Sequence, residues 1–301
     1  MSDKTLYKVE EYNRNIPLLF SECNKGRVHS KFANGVNLQV NDSLIFIGGD
    51  KAGKLPFSLL LPLDAVHDLL SKISVGDPVV WDEGLSILTI DESCDIVFLV
   101  GKPYDNKLEK ISGSAHSLTN NLEALLLALA GNDEPTGMGL DINDFMEHYV
   151  TYQEKTGNDY DFYYDLMNML YSEDEVEVEH VLRYFLGRGK GGTPTGDDHL
   201  IGLMAIHAVS EEWTPLFPKV LSRLIQNEKI TTDVSIEYLK YALKNQFGSP
   251  VMELIHAMVE EDEEKIQEKI NNLLSMGHSS GLDTTFGIVL GLLTMRRKFN
   301  G

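Results

Sequence analysis

The sequence predicts an α+β protein: a β-rich, mostly antiparallel N-terminal unit over residues 1–110, then an all-α unit over residues 111–301. Three observations predict it. Up to about Pro103 the apolar residues come in short, often alternating runs punctuated by Asn-Gly, Asn-Asp and Gly-Gly-Asp. From Ser117 they recur at helical spacing. The chain of 301 residues is 43% hydrophobic and 24% charged, ordinary for a globular protein with a sizeable core.

Strands are predicted over 26–32, 35–40, 43–47 and 57–61, and again over 79–81, 86–90 and 95–100. A helix interrupts them over 62–73, where Leu63, Val66, Leu69 and Leu70 form one apolar stripe. In the second part, 119–130 is apolar on one face and Gly131 stops it. Helices follow over 141–155, 160–171, 176–186, 197–210, 213–226, 235–245, 250–258, 263–276 and 283–297. The acidic runs 173–179 and 260–264 read as solvated helix ends.

Charge and cysteine usage narrow the function. With 26 Lys+Arg against 46 Asp+Glu, the formal net charge is −20. Such a surface repels phosphate backbones and anionic lipid, so neither nucleic acid nor membrane is an expected partner. Cys23 and Cys94 are too few for a disulfide framework or a four-thiolate metal site. No apolar run approaches the ~20 residues of a membrane span, and Met1 to Asn15 has no apolar leader segment. A cytoplasmic location is expected.

Two glycine-rich segments carry the functional signal. One runs from Gly187 to Asp198, the other from Gly277 to Thr285. Superposed, Gly192 matches Gly277, Thr195 matches Ser280, Gly196 matches Gly281, Asp198 matches Asp283 and Gly202 matches Gly287. The shared pattern is G-x-x-[ST]-G-x-D-x-x-x-G at an offset of 85 residues. Each segment reads as a loop feeding a helix N-terminus. Glycine permits turns with positive φ, Ser/Thr and Asp cap helices, and free first-turn N–H groups favour an anion. The plain alternative is two capped helices with flexible loops. Gly202 and Gly287 fall inside the helices, where glycine costs ~1 kcal/mol relative to alanine; a close helix crossing or a ligand against the backbone would explain them. The two matching loops are expected to face each other across one cleft.

Basic residues support an anion site. Arg183, Arg188 and Lys190 crowd the first loop. Strand alternation places Lys25, Arg27, His29 and Lys31 on one face, as solvated surface or as ligand contacts. Gly48 to Lys54 fits G-x-x-x-x-G-K, but Leu55 replaces the Mg2+-binding hydroxyl and a strand follows, so it reads as a hairpin loop. Asp197, Asp198 and Asp283 could together hold Mg2+. The reading adopted is that they cap helices and orient the loops, with no metal and no cofactor required.

At these loops the sequence resembles a known family. The run Gly192-Thr193-Pro194-Thr195-Gly196-Asp197-Asp198-His199-Leu200-Ile201-Gly202 is similar to the G-L-T-P-S-G-D-D-F-L-x-G signature of the bacterial AllH family. The later Gly277-His278-Ser279-Ser280-Gly281-Leu282-Asp283 resembles that family's G-x-S-S-G-x-D segment. Weaker likenesses lie at Gly26 to Phe32, at Val36-Asn37-Leu38 and at Thr231-Thr232-Asp233-Val234-Ser235. The departures are a tighter loop before the proline, Thr195 for Ser and His199 for Phe.

The resemblance implies a subunit of oxamate carbamoyltransferase in anaerobic allantoin degradation. It would act on carbamoyl phosphate and oxamate, or on oxalurate and phosphate in reverse, within a hetero-oligomer of other carbamoyltransferase subunits. Together with the loop pattern and local charge, it gives as expected substrate- or anion-binding residues Arg27, His29, Asn37, Arg188, Lys190, Gly192, Thr193, Thr195, Gly196, Asp197, Asp198, Thr231, Thr232, His278, Ser279, Ser280, Gly281 and Asp283. No catalytic residue is singled out. The competing class is a non-catalytic subunit that binds a metabolite or partner at the same loops.

Overall fold

The computed structural model describes residues 4–131, 134–210, 212–260, 262–277 and 279–300. The chain divides into two compact units, Met1–Asn106 and Lys107–Gly301. The architecture is α+β, a curled sheet followed by an all-helical region.

The first unit holds ten strands in one mixed sheet. They are β1 (Thr5–Lys8), β2 (Glu11–Asn13), β3 (Lys25–Phe32), β4 (Gly35–Val40), β5 (Ser43–Gly48), β6 (Ser58–Leu60), β7 (Pro78–Asp82), β8 (Ile87–Ile90), β9 (Cys94–Val97) and β10 (Lys102–Tyr104). Two helices, α1 (Asn15–Glu22) and α2 (Leu63–Lys72), accompany them. The strand order is β1-β9-β8-β7-β3-β4-β5-β6-β2-β10. The central strands pair antiparallel as predicted, through hairpins such as Asn34-Gly35. One stretch of chain reaches both ends of the sheet: β1 pairs parallel with β9, and β2, two residues on, lies between β6 and β10. The sheet therefore curls on itself around a core that includes Val36, Leu38, Ile45, Val66, Leu69 and Trp81.

Two sequence expectations are corrected here. The basic residues of β3 do not share one face. A bulge between Val28 and Ser30 shifts the register at His29, so alternation is broken before Lys31. Lys31 donates to the carbonyls of Leu70 (2.7 Å) and Ile73 (2.6 Å), capping the C-terminal end of α2. The Gly48–Lys54 stretch is not a hairpin loop, because β5 and β6 pair parallel. It contains a single 3-10 turn over Asp50–Ala52, and Lys54 forms an ion pair of 2.9 Å with Glu11.

The second unit contains α3 (Ser114–Asn120), α4 (Leu122–Ala130), α5 (Ile142–Tyr152), α6 (Asp161–Met169), α7 (Glu175–Phe185), α8 (Thr195–Ser210), α9 (Leu216–Asn227), α10 (Asp233–Ala242), α11 (Ser249–Glu260), α12 (Glu263–Leu274) and α13 (Ser280–Asn300). Helix α8 is buried all round, from Thr195 through Ser210 apart from His207. Such a helix forms the centre of a bundle rather than its surface. Its main partner is α13, whose Phe286, Ile288, Leu290 and Leu292 are fully buried. The amphipathic helices α7, α9, α10, α11 and α12 pack around that pair.

Candidate functional site in the paired glycine loops

The site is built twice from one plan. Helix α7 ends, the chain turns through residues 186–194, and α8 begins; α12 ends at Leu274, and α13 begins at Ser280. In each copy the first-turn glycine lies on a carbonyl near the end of the preceding helix. A Cβ on Gly196 would sit 2.0 Å from the Phe185 oxygen, and one on Gly281 would sit 1.9 Å from the Leu273 oxygen. Neither is among the glycines with positive φ; that role falls to Gly187, Gly189, Gly191 and Gly277. Gly196 and Gly281 are thus required for close approach rather than for turn geometry.

The two copies cross at their second glycines. A Cβ on Gly202 would lie 2.3 Å from the Thr284 oxygen, and one on Gly287 would lie 2.3 Å from the His199 oxygen. Residues 199 and 284, and 202 and 287, are each separated by the same 85-residue offset as the sequence repeat. The crossing is therefore a reciprocal contact of the kind a two-fold axis produces, here within one chain. The loops also meet, as the Thr193 and Ser280 hydroxyls are hydrogen-bonded at 2.8 Å.

The two aspartates of the first loop have different roles. Asp197 is fully buried and accepts bonds from the Gly187 N–H (2.9 Å), the Ser235 hydroxyl (2.6 Å) and the Thr231 hydroxyl. Burial raises its pKa, and these three donors oppose the rise. Thr232 caps α10 and donates to the Gly192 carbonyl. Asp197, Thr231 and Thr232 therefore strap the first loop to α10. Asp198 is 4% exposed, and its Oδ2 has no hydrogen-bond partner. Burial pushes its pKa well above the usual carboxylate value, with the Asp283 and Asp197 charges adding to the rise and the Ser280 and Thr193 hydroxyls opposing it.

Asp283, the counterpart of Asp198, is 1% exposed. Its Oδ1 accepts the Gly137 N–H at 3.0 Å, and its Oδ2 has no partner. His199 is wholly buried against Tyr163, Phe185 and Phe286. Its Nδ1 lies 2.8 Å from the Asp283 carbonyl oxygen. A carbonyl only accepts, so the proton is on Nδ1 and the unpartnered Nε2 presents a lone pair. Burial lowers the His199 pKa, which favours the neutral ring, with Asp283 pulling the other way.

The donors of the first turns are largely used internally. The Gly196 N–H reaches the Arg188 carbonyl at 2.9 Å, and those of Asp197 and Asp198 reach Pro194 at 2.9 and 3.1 Å. In the second copy the Gly281 N–H donates to Met276 and the Asp283 N–H to Ser279. The exposed backbone of Gly189 to Gly192, with Arg188 and Lys190, forms the outer face of the first loop. Arg183 does not contribute there, since it pairs with Glu179 and Glu228.

A pocket of about 670 Å3 opens beside the first loop. Arg188 and Gly189 line it, together with Tyr160, Phe162, Tyr163 and Tyr184 and the segment Met138 to Asp141. The Arg188 guanidinium lies 3.8 Å from the Tyr184 ring centroid, and its Nε donates to the Tyr184 carbonyl at 2.7 Å. Phe162 stacks on the same ring at 3.8 Å. The fork is thus held by its Nε and its face, with Nη1 and Nη2 left for a ligand. Asp141, Asp144 and Asp159 also line the pocket and bring carboxylates to it.

Sequence reasoning brought Arg188, Gly192, Thr193, Thr195, Ser279, Ser280 and both loop aspartates into one region. It missed the aromatic wall of α6 and the segment around Gly137. The four aromatic residues among the five from Tyr160 to Tyr164 are a signal for the first. Pro135-Thr136-Gly137, which repeats Pro194-Thr195-Gly196, is a signal for the second. His278 lies outside the described residues. Arg27, His29 and Asn37 belong to the first unit. There Arg27 donates to the Gln39 side chain at 2.8 and 3.1 Å, while Asn37 and His29 both meet the Ser30 hydroxyl. Among the described residues no three His, Cys, Asp or Glu side chains are placed to hold a metal ion together, and no helix is long and apolar enough to cross a membrane.

The fold and site define an α+β protein with an internally duplicated glycine-loop–helix centre. Residues 185–292, which span both loops, match the family described as oxamate carbamoyltransferase subunit AllH. Residues 8–100 match the AllH family N-terminal domain. The chain belongs to the AllH family. No solved structure matches it.

Proposed function

We propose that this chain acts within an oxamate carbamoyltransferase, together with other subunits, on carbamoyl phosphate and oxamate or, in reverse, oxalurate and phosphate. A small anion binds at the first glycine loop, between Arg188, Lys190 and the exposed backbone of 189–193. The observation that carries this reading is the Arg188 fork, fixed on Tyr184 at the mouth of a pocket beside the paired loops. Family membership supports the reaction class.

The reaction needs no covalent nucleophile. It needs the two substrates held in line, a clamp for a carboxylate or phosphate, and dipoles on the oxygen where charge develops. Arg188 supplies a planar clamp, and two helix N-termini converge on the region where the loops meet.

The test is calorimetric titration of the full chain with phosphate and oxamate, paired with the transferase assay in the assembly with its partner subunits. Arg188→Ala should weaken anion binding by about 1–3 kcal/mol, the worth of a charge-assisted contact. Arg183→Ala, whose guanidinium is engaged elsewhere, should leave it unchanged. Full activity of an assembly lacking this chain would instead favour the non-catalytic reading.

A further inference from the structure

The paired loops contain a surplus of buried acceptors. Asp198 Oδ2, Asp283 Oδ2 and His199 Nε2 each lack a hydrogen-bond partner, and all three residues are at least nine-tenths buried. Orphaned buried acceptors are rare in folded proteins because each carries its full desolvation cost. Nearby backbone donors cannot turn to them, since those of Gly196, Asp197, Asp198, Gly281 and Asp283 are already engaged. Two carboxylate oxygens and one imidazole nitrogen thus remain without a donor.

The geometry also shows where a donor would enter. A Cβ built on Gly137 would lie 2.2 Å from Thr195 Oγ1, 2.8 Å from Ser279 Oγ and 3.2 Å from Asp283 Oδ2. Oxygens from both copies therefore converge beneath a position that has no side chain. Gly137 belongs to a turn closed on itself, with Thr136 N–H on the Leu140 carbonyl (2.9 Å) and Gly139 N–H on the Thr136 carbonyl (2.7 Å). The next residues, Met138 to Asp141, line the pocket that Arg188 enters. The turn thus lies between the pocket and the Asp283 carboxylate, tied to α13 by Gly137 N–H on Asp283 Oδ1.

We propose that Asp198 and Asp283 form a subsite for an N–H donor, the primary amide nitrogen of the substrate, reached when the Thr136–Leu140 turn lifts. This rests on the carbamoyltransferase reading, in which both substrates carry a –C(=O)NH2 group. It divides the substrate between two chemistries: the anionic end goes to Arg188 and the first loop, and the amide end goes to the buried carboxylates. The surrounding oxygens of Thr195 and Ser279 favour a neutral amide, which offers two donors and brings no charge to bury.

Oxamate and pyruvate test this, because they share a carboxylate and a carbonyl and differ by NH2 against CH3. The full chain should bind oxamate about tenfold or more tightly than pyruvate, as a site built to hydrogen-bond one group rejects its apolar isostere. In Asp283→Asn one carboxylate oxygen becomes an NH2 group, which removes an acceptor and sets a donor against the ligand's own N–H groups. That variant should lose the preference for oxamate while its pyruvate affinity stays at the wild-type level, which also reports correct folding. Asp198→Asn carries the same test from the other copy should the first variant not fold. Arg188→Ala should weaken both acids alike. Equal binding of the two acids by wild type, or an unchanged preference in both variants, overturns the subsite and leaves the carbamoyltransferase reading standing. Binding of neither acid overturns that reading, and the subsite with it.

Discussion

Alanine at Gly202 or Gly287 tests the duplicated crossing of α8 and α13 most directly. Each new Cβ would start 2.3 Å from a carbonyl oxygen of the other helix, where ordinary contact begins at 3.4 Å. The atoms nearest to each are backbone atoms of the facing buried helix, so no side chain can swing aside. The helices must separate locally by about 1.1 Å. Forcing extra volume into a packed core costs typically 1–3 kcal/mol, and a backbone-to-backbone contact lies at the upper end. Alanine recovers ~1 kcal/mol of helix propensity. The expected net loss is about 2 kcal/mol for each variant, or roughly 4–8 °C for a unit of this size.

The reciprocal geometry adds a stronger condition. Gly202→Ala and Gly287→Ala should destabilise equally, because each meets the counterpart of the other's obstacle. The double variant should cost less than the sum of the two, because one separation of the helices relieves both contacts. Thermal and urea denaturation of the three variants provides the check. Unequal single losses with full additivity would mean two independent contacts, and a gain in stability would refute the close crossing itself.

Three further outcomes follow from the same site. Asp198 has a folded pKa above its ordinary 3.8, so its contribution is most favourable below that value and is lost as pH rises through the folded pKa. Asp198→Asn should therefore be more stable than wild type at pH 8 with the difference vanishing near pH 4, as read by urea unfolding at each pH; Asp197, Asp283, His199 and Tyr238 are the titratable neighbours common to both proteins. Asp197→Ala should lose about 2–4 kcal/mol, since it leaves Gly187, Thr231 and Ser235 without their acceptor in a buried setting; a loss below 1 kcal/mol in denaturant titration would contradict the strap. Lys31→Ala should loosen the C-terminal end of α2 and speed amide exchange there, leaving ligand affinity unchanged.

Much of the architecture is legible in the sequence, because its signals are local. The hairpin β3–β4 is announced by Asn34-Gly35, and α5 begins where Asp141 caps it. The first two strands are not legible. Residues 5–13 are short and mixed in polarity, and their partners β9 and β10 lie about ninety residues away. The bulge at His29 is likewise silent, since only the pairing with β4 reveals that the face changes. At the site, the repeat identifies the loops but not the division between them. Asp197 and Asp198 are adjacent and chemically identical, yet one is consumed by three donors and the other keeps an unpartnered oxygen. That difference depends on α10 and α13, which no spacing within the motif reports.

The two copies have diverged where a ligand would distinguish them and stayed alike where the helices need each other. The crossing glycines, the first-turn glycines and the carboxylates Asp198 and Asp283 keep equivalent positions and equivalent obstacles. The loops do not: 186–194 carries Arg188, Lys190 and three positive-φ glycines, whereas 275–279 is shorter and has one, Gly277. The position after the matched aspartates differs too, with His199 against Thr284, both buried. A symmetric centre suits a symmetric ligand. A substrate with a carboxylate or phosphate at one end and an amide at the other needs the two ends recognised differently. On the proposed function, an extended, basic loop on one copy, with carboxylates drawn from both, would supply that asymmetry without disturbing the helix pair on which the second unit is packed.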